Sequence, residues 1–380
     1  MAGKIAMVDL KGQYLRIKDE VDEAVREVID TSAFINGPAV KSFQSALSDY
    51  MGGCHVIPCA NGTDALQIAL MSLDLKCGDE VIVPAFTYVA SAEVIGLLGL
   101  TPVMVDVDPV SFNLDISFLE SALSPRTKAI IPVHLFGQSC DMAPILEFAS
   151  AHGLYVIEDN AQAIGAVYTF PDGTRARTGT MGHIGCTSFF PSKNLGCYGD
   201  GGAMFTRDDA LAEKLRCIAN HGQKVKYHHS VLGCNSRLDS IQAAVLGVKL
   251  KHLDEYCAAR QEAAAYYNRR FLEFDPGEQF ISTPARMPYT THVWHQYTLK
   301  VKNGRRDDLK AHLSEQGIPA MIYYPLPLQE QQAFRSITKQ PGSLEHASAC
   351  ASSVLSLPIH TEMTREIQDV IINALTGFFR

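Results

Sequence analysis

Short runs of apolar and β-branched residues alternate with helical segments over the first two thirds of this 380-residue chain. Turn residues bound the clearest runs, which are DEVIVP (79–84), TPVMVDV (101–107), TKAIIPVHLF (127–136) and LYVIEDN (154–160). Near-continuous apolar strands that are separated by helices are typical of a mostly parallel sheet covered on both faces. The pattern therefore predicts an α/β fold, with its site at the carboxyl ends of the strands.

The pattern changes in the last third of the chain. A long helical run covers residues 237–272, a loop rich in proline and glycine covers 275–291, and the remainder mixes strand and helix. We predict a large α/β domain over residues 1–240, including the N-terminal helices. Residues 241–380 are predicted to supply a long linking helix and a small C-terminal α+β domain.

Charge and cysteine content exclude several classes of protein. The net charge is −8 and no basic run with interleaved aromatic residues occurs, so we expect neither nucleic acid nor a membrane surface as a partner. No stretch approaches the roughly 18–20 apolar residues of a membrane span, and the N-terminus lacks a leader pattern. Ten cysteines at scattered spacings, without a C-x-x-C pair, predict reduced thiols, a cytoplasmic location and no metal site.

The segment CANGTD (59–64) places a helix start directly after a predicted strand. Free amides at a helix N-terminus bind phosphate, Gly62 lets the backbone approach closely, and the hydroxyl of Thr63 adds a donor. The alternative for this segment alone is a simple capped helix start.

A second segment, VIEDNAQ (156–162), ends an apolar strand with Asp159. A buried carboxylate needs a charged partner, and a protonated pyridine nitrogen is one such partner. Gln162 lies three residues further on, where its amide can reach a hydroxyl of the same ring. The alternative is that Asp159 only caps the following helix.

The third segment places Lys193 after a Pro-Ser turn and before the glycine-rich stretch 194–203. A lysine in a partly desolvated pocket has a lowered pKa and becomes a nucleophile for carbonyl groups. Ser188, five residues earlier, can donate to a phosphate. The alternative is an exposed loop lysine, and the glycines have the wrong spacing for a dinucleotide fingerprint.

A fourth segment, GCNSRLD (233–239), lies at the start of the long helical run. Asn235 and Arg237 occupy positions where a helix N-terminus receives an anion. The alternative for this segment alone is capping by Asn235 or Ser236 with a solvated Arg237.

Together these segments resemble the sugar aminotransferases of the DegT/DnrJ/EryC1/StrS family, which have the fold-type I architecture of pyridoxal-phosphate (PLP) enzymes. The resemblance is centred on SFFPSKNLGCYGDGGA (188–203). The motifs NGTDAL, PAFTYVAS, IEDNAQAIGA and NSRLDSIQAA occur in the expected order, and the similarity extends from VDLKGQY (8–14) to YYPLPL (323–328). It implies a mostly parallel sheet of the seven-stranded type between helices, with the small domain after it.

The resemblance also implies roles for residues around the cofactor. Lys193 would carry PLP as a Schiff base and shuttle protons, and Asp159 would pair with the pyridine nitrogen. Gln162 would contact the ring oxygen and Tyr88 would stack on the ring. The phosphate would be held by the residues Gly62, Thr63 and Ser188.

The same resemblance implies a homodimer with shared active sites, because in this family the asparagine at the position of Asn235 reaches the cofactor phosphate of the neighbouring subunit. Arg237 and Tyr323 are then candidates for contacts to a nucleotide sugar.

This sequence departs from the family in two places. The stretch 168–182 is longer than in many members; its Asp172-Gly173 pair predicts a hairpin turn, and we expect its arginines 175 and 177 near a phosphorylated ligand. Gln329 occupies a position where many members have histidine.

The implied activity is ping-pong transfer of an amino group from an amino acid, glutamate by resemblance, to a nucleotide-linked keto sugar. Within the family, the chain is most similar to enzymes that aminate UDP-2-acetamido-3-oxo-glucuronate in surface polysaccharide assembly. The alternatives are a C4 aminotransferase of a dTDP- or UDP-4-keto sugar, a fold-type I lyase and a non-catalytic regulator. A PLP sugar dehydratase is disfavoured, because that branch has histidine at the position of Lys193.

Overall fold

A computed structural model describes residues 5–380 and contains fourteen strands within that range. The strands are β1 (His55–Cys59), β2 (Glu80–Pro84), β3 (Thr101–Val105), β4 (Thr127–Ile130), β5 (Tyr155–Asp159), β6 (Val167–Thr169), β7 (Arg175–Arg177), β8 (Ile184–Ser188), β9 (Gly202–Thr206), β10 (Gln223–Val225), β11 (His228–His229), β12 (Ile281–Ser282), β13 (Tyr297–Val301) and β14 (Val354–Leu357).

Thirteen α-helices lie in the same range of residues. They are α1 (Leu10–Arg16), α2 (Lys18–Thr31), α3 (Pro38–Tyr50), α4 (Gly62–Met71), α5 (Ala90–Leu97), α6 (Leu119–Ala122), α7 (Met142–His152), α8 (Asp209–Ala219), α9 (Ser240–Leu250), α10 (Leu253–Phe274), α11 (Arg306–Glu315), α12 (Glu345–Ser353) and α13 (Arg365–Phe378).

Seven strands form the central sheet, in the order β1-β9-β8-β5-β4-β2-β3. The pairs from β8 through β3 are parallel, and only β9 runs against its two neighbours. Both faces are covered, as the apolar runs predicted. Along β2, for example, Val81 and Val83 pack into one core cluster while Ile82 packs into another. The predicted α/β fold with a mostly parallel seven-stranded sheet is confirmed.

The helical run predicted over 237–272 is two helices in the structure. Helix α9 ends at Leu250, and α10 begins at Leu253 after a short break around His252. Helix α9 packs against α2 and α3, whereas α10 packs against α13. The break thus separates a helix that packs against the N-terminal helices from a helix that packs against the C-terminal helix α13.

A second core surrounds the antiparallel sheet β12-β13-β14. It includes buried side chains of α10, α11 and α13, such as Tyr267, Leu309 and Ile371. The C-terminal part of the chain therefore combines helices with an antiparallel sheet, which agrees with the predicted α+β class. The placement of a domain boundary at residue 240 stays a prediction.

Helix α7 leads directly into β5, the strand that carries Asp159 at its end. The helix stops because Gly153 adopts a left-handed conformation with φ of 62°, which an L side chain rarely adopts. Leu154 then packs into the core beneath the sheet. Within residues 5–380, no helix is long and apolar enough to cross a membrane.

Candidate active site

The candidate site lies at the carboxyl edge of the central sheet. Asp159 is the last residue of β5, and Ser188 is the last residue of the adjacent parallel strand β8. Helix α4 begins at Gly62, directly after β1. Parallel strands bring their ends to one edge, so three of the four predicted segments meet there.

Asp159 is 5% exposed and is bound by neutral donors. Its Oδ2 accepts a hydrogen bond from the hydroxyl of Ser91 at 2.7 Å, and its Oδ1 accepts one from the amide of Ala161 at 3.1 Å. Among residues 5–380 it forms no salt bridge, although a buried carboxylate is costly without a cation. The arrangement therefore suits a cationic ring nitrogen that the chain itself does not provide.

Lys193 lies in a tight turn that follows β8. Its amide donates to the carbonyl of Phe190 at 2.8 Å, and Asn194 donates through Nδ2 to the carbonyl of Val293 at the same distance. Desolvation lowers the pKa of Lys193 to about 8, and the charge of Asp159 partly opposes this shift. At pH 7 roughly a tenth of such an amine is neutral, against less than a thousandth for an ordinary lysine.

The start of α4 forms a close-packed cradle with the end of β8. A Cβ added to Gly62 would lie 2.7 Å from the Cβ of Ser188, so no side chain fits there without movement. Asn61 caps the helix by accepting from the amide of Asp64 at 2.8 Å. The amides of Gly62 and Thr63 lie in the first turn, where no helical acceptor exists, which suits a phosphate.

Gln162 and Tyr88 both contact the side chain of Tyr324. Gln162 accepts from the amide of Phe136 at 2.7 Å and donates through Nε2 to the hydroxyl of Tyr324 at 3.1 Å. The ring centroid of Tyr324 is 6.1 Å from that of Tyr88, which is 54% exposed. One Nε2 hydrogen of Gln162 thus remains for a ring oxygen, and the ring of Tyr88 is free to stack.

The fourth predicted segment adjoins the first one through Ser236. Asn235 is exposed, and its backbone bridges to Asn220, while the neighbouring Ser236 is buried and accepts from the amide of Ala60 at 3.1 Å. Arg237 forms no ion pair with any residue between 5 and 380. Tyr323 is half-buried and packs beside Tyr324, with 6.0 Å between the ring centroids.

The stretch 168–182 forms the hairpin that its Asp172-Gly173 pair predicted, with β6 and β7 as the two strands. The expected position of its arginines near a phosphorylated ligand receives no support. The guanidinium of Arg177 lies 3.8 Å from the ring centroid of Tyr50 at the end of α3, and Arg175 is exposed. Gln329, the second departure from the family, follows Leu328. The amide of Leu328 donates to the carbonyl of Ala85, directly after β2, at 2.8 Å.

Three neighbours of the site were not identified from the sequence. Ser91 lies within the PAFTYVAS motif, but nothing local shows that its hydroxyl binds a carboxylate 68 residues away. Tyr324 follows Tyr323, which was predicted to contact the substrate. His295 lies in a buried segment next to Asn194. A signal was available only for Ser91, a polar and buried residue in the mostly apolar helix α5.

The residues at this edge fit PLP, because a buried carboxylate without a cation and a glycine cradle at a helix start match its two ends. The architecture is that of a fold-type I transferase, and this class uses PLP; one solved relative contains the amine form of the cofactor. The model of the DegT/DnrJ/EryC1/StrS aminotransferase family matches residues 15–376. The chain belongs to this family and is an aminotransferase.

Individual relatives match over almost the whole chain. A protein of Geobacillus stearothermophilus named "Pleiotropic regulatory protein" is 46% identical, with 99% of both chains covered. The UDP-2-acetamido-2-deoxy-3-oxo-D-glucuronate aminotransferase of Pseudomonas aeruginosa is 45% identical, with 98% of this chain and 100% of the relative covered. The crystal structure of a DegT DnrJ EryC1 StrS aminotransferase from Brucella abortus is 42% identical and superimposes with a TM-score of 0.92, covering 98% of this chain and 99% of that chain.

Proposed function

We propose that this sugar aminotransferase moves an amino group from L-glutamate to C3 of a UDP-linked 3-keto sugar, in the cytoplasm, during surface polysaccharide biosynthesis. The observation that carries the proposal is full-length similarity to the Pseudomonas enzyme, whose name specifies a UDP-linked 3-oxo sugar. The ten cysteines, all free in the structure, agree with a reducing compartment.

Lys193 is the proposed proton carrier. When bound, PLP supplies an aldehyde that joins amino groups and a ring that takes up electrons. The lowered pKa of Lys193 leaves its Nζ able to accept the α-proton of the amino acid. In the second half of the cycle, the same Nζ delivers a proton to the sugar carbon that receives the amino group.

Asp159 is proposed to hold the ring nitrogen in its protonated form. Its two oxygens are fixed by Ser91 and Ala161, so the carboxylate cannot turn away from the site. Gln162 and Tyr88 are proposed to orient the ring, and Gly62, Thr63 and Ser188 to bind the phosphate. These assignments rest on the geometry of one edge of the sheet.

We propose a homodimer in which Asn235 reaches the partner's cofactor and Arg237 and Tyr323 contact the nucleotide sugar. Asn235 adjoins an exposed segment, 221–233, which contains the hairpin β10-β11. This segment carries apolar side chains in solvent, including Tyr227 at 78% and Leu232 at 90% exposure. A second copy of the chain that covers them would remove this apolar surface from water.

A substrate panel tests the proposed reaction. The amine-loaded enzyme is mixed with UDP- and dTDP-linked 3-keto and 4-keto sugars, and the aminated products are identified by mass spectrometry. We expect kcat/KM for a UDP-3-keto sugar to exceed that for 4-keto sugars by about a hundredfold. Faster amination of a 4-keto sugar would replace this proposal with a C4 aminotransferase.

A matched experiment tests Lys193 and the regulatory alternative raised by the name of the Geobacillus relative. Borohydride treatment of the loaded enzyme is expected to fix the cofactor to Lys193 in a peptide map, and Lys193→Ala removes both the label and turnover. A protein that binds PLP but aminates none of the sugars, under conditions where glutamate converts the cofactor to its amine form, favours a regulatory role or another acceptor.

A further inference from the structure

Lys249 is a fully buried lysine on α9 that has no carboxylate as a partner. It is 1% exposed, and among residues 5–380 it forms no ion pair. Its Nζ donates to the carbonyl of Gly196 at 2.5 Å and lies 5.2 Å from the ring centroid of Tyr198. Lysines are almost never fully buried without a charged partner, because taking the ammonium out of water is costly. A well-packed apolar side chain would avoid that cost, so the amine at this position asks for a reason.

Gln242 binds the same stretch of chain from the same helix. It lies seven residues before Lys249, a spacing that places two side chains on one face of a helix, two turns apart. Its Oε1 accepts from the amide of Tyr198 at 2.8 Å, and its Nε2 donates to the carbonyl of Tyr198 at 3.4 Å. A Cβ added to Gly199 would lie 3.0 Å from this Nε2, so the amide group packs directly on the backbone. Helix α9 therefore holds the backbone of residues 196–198 at two points.

The stretch that α9 holds closes the turn that carries Lys193. The amide of Cys197 donates to the carbonyl of Phe189 at 2.8 Å, which joins the two ends of the turn. A Cβ added to Gly196 would lie 2.4 Å from the carbonyl oxygen of Pro191, so the two arms of the turn are in direct contact. A displacement of Gly196 would therefore be passed to the chain on both sides of Lys193.

Helix α9 is itself fixed to the N-terminal part of the chain. The hydroxyl oxygen of Ser240, its first residue, accepts from the amide of Gly37 at 3.2 Å. The amide of Ser240 donates to the carbonyl of Phe34 at 3.0 Å. The helix thus gives the side chains of Gln242 and Lys249 a fixed support from which to hold the turn.

The hydrogen bond from Lys249 is stronger than those from Gln242. Desolvation lowers the pKa of Lys249 to about 8, so roughly nine tenths of this amine carries its charge at pH 7. A hydrogen bond from a charged donor is about twice as strong as a bond between neutral groups. Removal of the amine should therefore release the turn more than removal of the amide does.

We propose that Lys249, together with Gln242, is a positioning residue for Lys193, because the two side chains hold residues 196–198 where the turn lets the amine of Lys193 reach the aldehyde of the cofactor. The inference deepens the proposed function and rests on the role given there to Lys193. It accounts for a buried ammonium whose acceptor is a backbone carbonyl three residues after that lysine.

The rate at which PLP joins Lys193, with loss of water, provides a test. Cofactor-free protein is mixed with PLP, samples are treated with borohydride at intervals, and labelled Lys193 is quantified by mass spectrometry. In Lys249→Met, which keeps an unbranched side chain but no donor, the rate should fall about tenfold. Pyridoxine 5′-phosphate has the same phosphate and ring but no aldehyde, and its Kd should change by less than about twofold.

Variants of Gln242 supply a rescue within one contact. Gln242→Ala removes both hydrogen bonds to Tyr198 and should slow the joining of PLP about fivefold. Gln242→Glu keeps an oxygen that accepts from the amide of Tyr198, and its rate should stay within about twofold of the wild type. In the half-reaction with glutamate, Lys249→Met should lower kcat about tenfold and leave KM within about twofold, because no group that binds the amino acid is changed.

Val248→Ala is the control for packing in the same helix. Val248 directly precedes Lys249, but its side chain packs in a cluster with Ile17 and Val21. The variant should therefore lose stability, by the loss of buried apolar contacts, and join PLP at the wild-type rate.

The outcomes distinguish the inference from the function on which it rests. A wild-type rate of joining in folded Lys249→Met would overturn the inference, and so would an equal loss of affinity for pyridoxine 5′-phosphate, which indicates general damage to the site. If Lys249→Met does not fold, equal rates in the Ala and Glu variants of Gln242 would overturn it. Failure of borohydride to label Lys193 in the loaded wild-type enzyme would instead overturn the proposed role of that lysine.

Discussion

The glycine at the start of α4 offers a sharp test of how this chain would bind the phosphate of PLP. In Gly62→Ala, the new methyl group would lie 2.7 Å from the Cβ of Ser188. Carbon atoms that are not bonded prefer separations of about 3.5–4.0 Å, so the helix start or the end of β8 must move by about 1 Å. A movement of that size lengthens an amide-phosphate bond beyond hydrogen-bond range.

The expected loss follows from the bond that is broken. A hydrogen bond to a charged group contributes about 1.5–3 kcal/mol, and each 1.4 kcal/mol is tenfold in affinity, so PLP should bind roughly 10- to 150-fold more weakly. The assay is titration of the cofactor-free protein with PLP, followed by absorbance. The same overlap should lower the free energy of unfolding of the cofactor-free protein by about 1–3 kcal/mol.

Gly247→Ala is the matched control. Gly247 lies inside α9, and a Cβ there would have no atom within 4 Å. Alanine in a helix interior is favoured over glycine by about 0.5–1 kcal/mol, so this variant should be more stable and bind PLP like the wild type. Unchanged PLP affinity in Gly62→Ala would refute the assignment of the phosphate to this cradle.

Three further predictions concern neighbouring groups. Asp159→Asn should lower kcat at least a hundredfold by removing the charge opposite the ring nitrogen, whereas Ser91→Ala, which removes one hydrogen bond of about 1 kcal/mol, should lower it only about fivefold, as steady-state kinetics can show. The acetylation rate of Lys193 in the cofactor-free enzyme should rise with pH through about 8 and then level off, because the protonated amine does not react; a midpoint near 10.5 would show that the lysine is not desolvated. Glu158→Gln should lower the free energy of unfolding by about 3 kcal/mol in denaturant titrations, because the buried carboxylate accepts from His134 and from three amides in the segment 179–182; a loss below 1 kcal/mol would contradict that role.

The contacts of Glu158 show how the stretch 168–182 is connected to the rest of the fold. Glu158 precedes Asp159 on β5 and accepts from the amides of Gly179, Met181 and Gly182 at 2.7, 2.7 and 2.6 Å. The chain that returns from the hairpin β6-β7 is thereby tied to the strand that carries the site's carboxylate. The stacking of Arg177 on Tyr50 holds the base of the hairpin, at the end away from its turn. The stretch 168–182 is thus tied to β5 in this structure, and a position of its arginines near a phosphorylated ligand stays a prediction.

The sequence alone determined the layered sheet and the local segments at its edge. A strand buried on both faces is apolar at most of its positions, and a strand end, a helix start or a lysine turn is specified by a few consecutive residues. For this reason β2 through β5, the helix start at Gly62 and the position of Asp159 at a strand end could be predicted. The direction of β9 could not, because a doubly buried strand reads the same in either direction.

Only the tertiary structure decided which distant groups meet. Ser91 binds Asp159 across 68 residues, and Gln162 reaches Tyr324 across 162 residues. The segment 292–296 lies beside Lys193 because Asn194 and Gly137 hold its backbone, and no pattern near His295 encodes those contacts. Local sequence specifies burial and backbone conformation, whereas the pairing of one polar group with another depends on how the whole chain crosses itself.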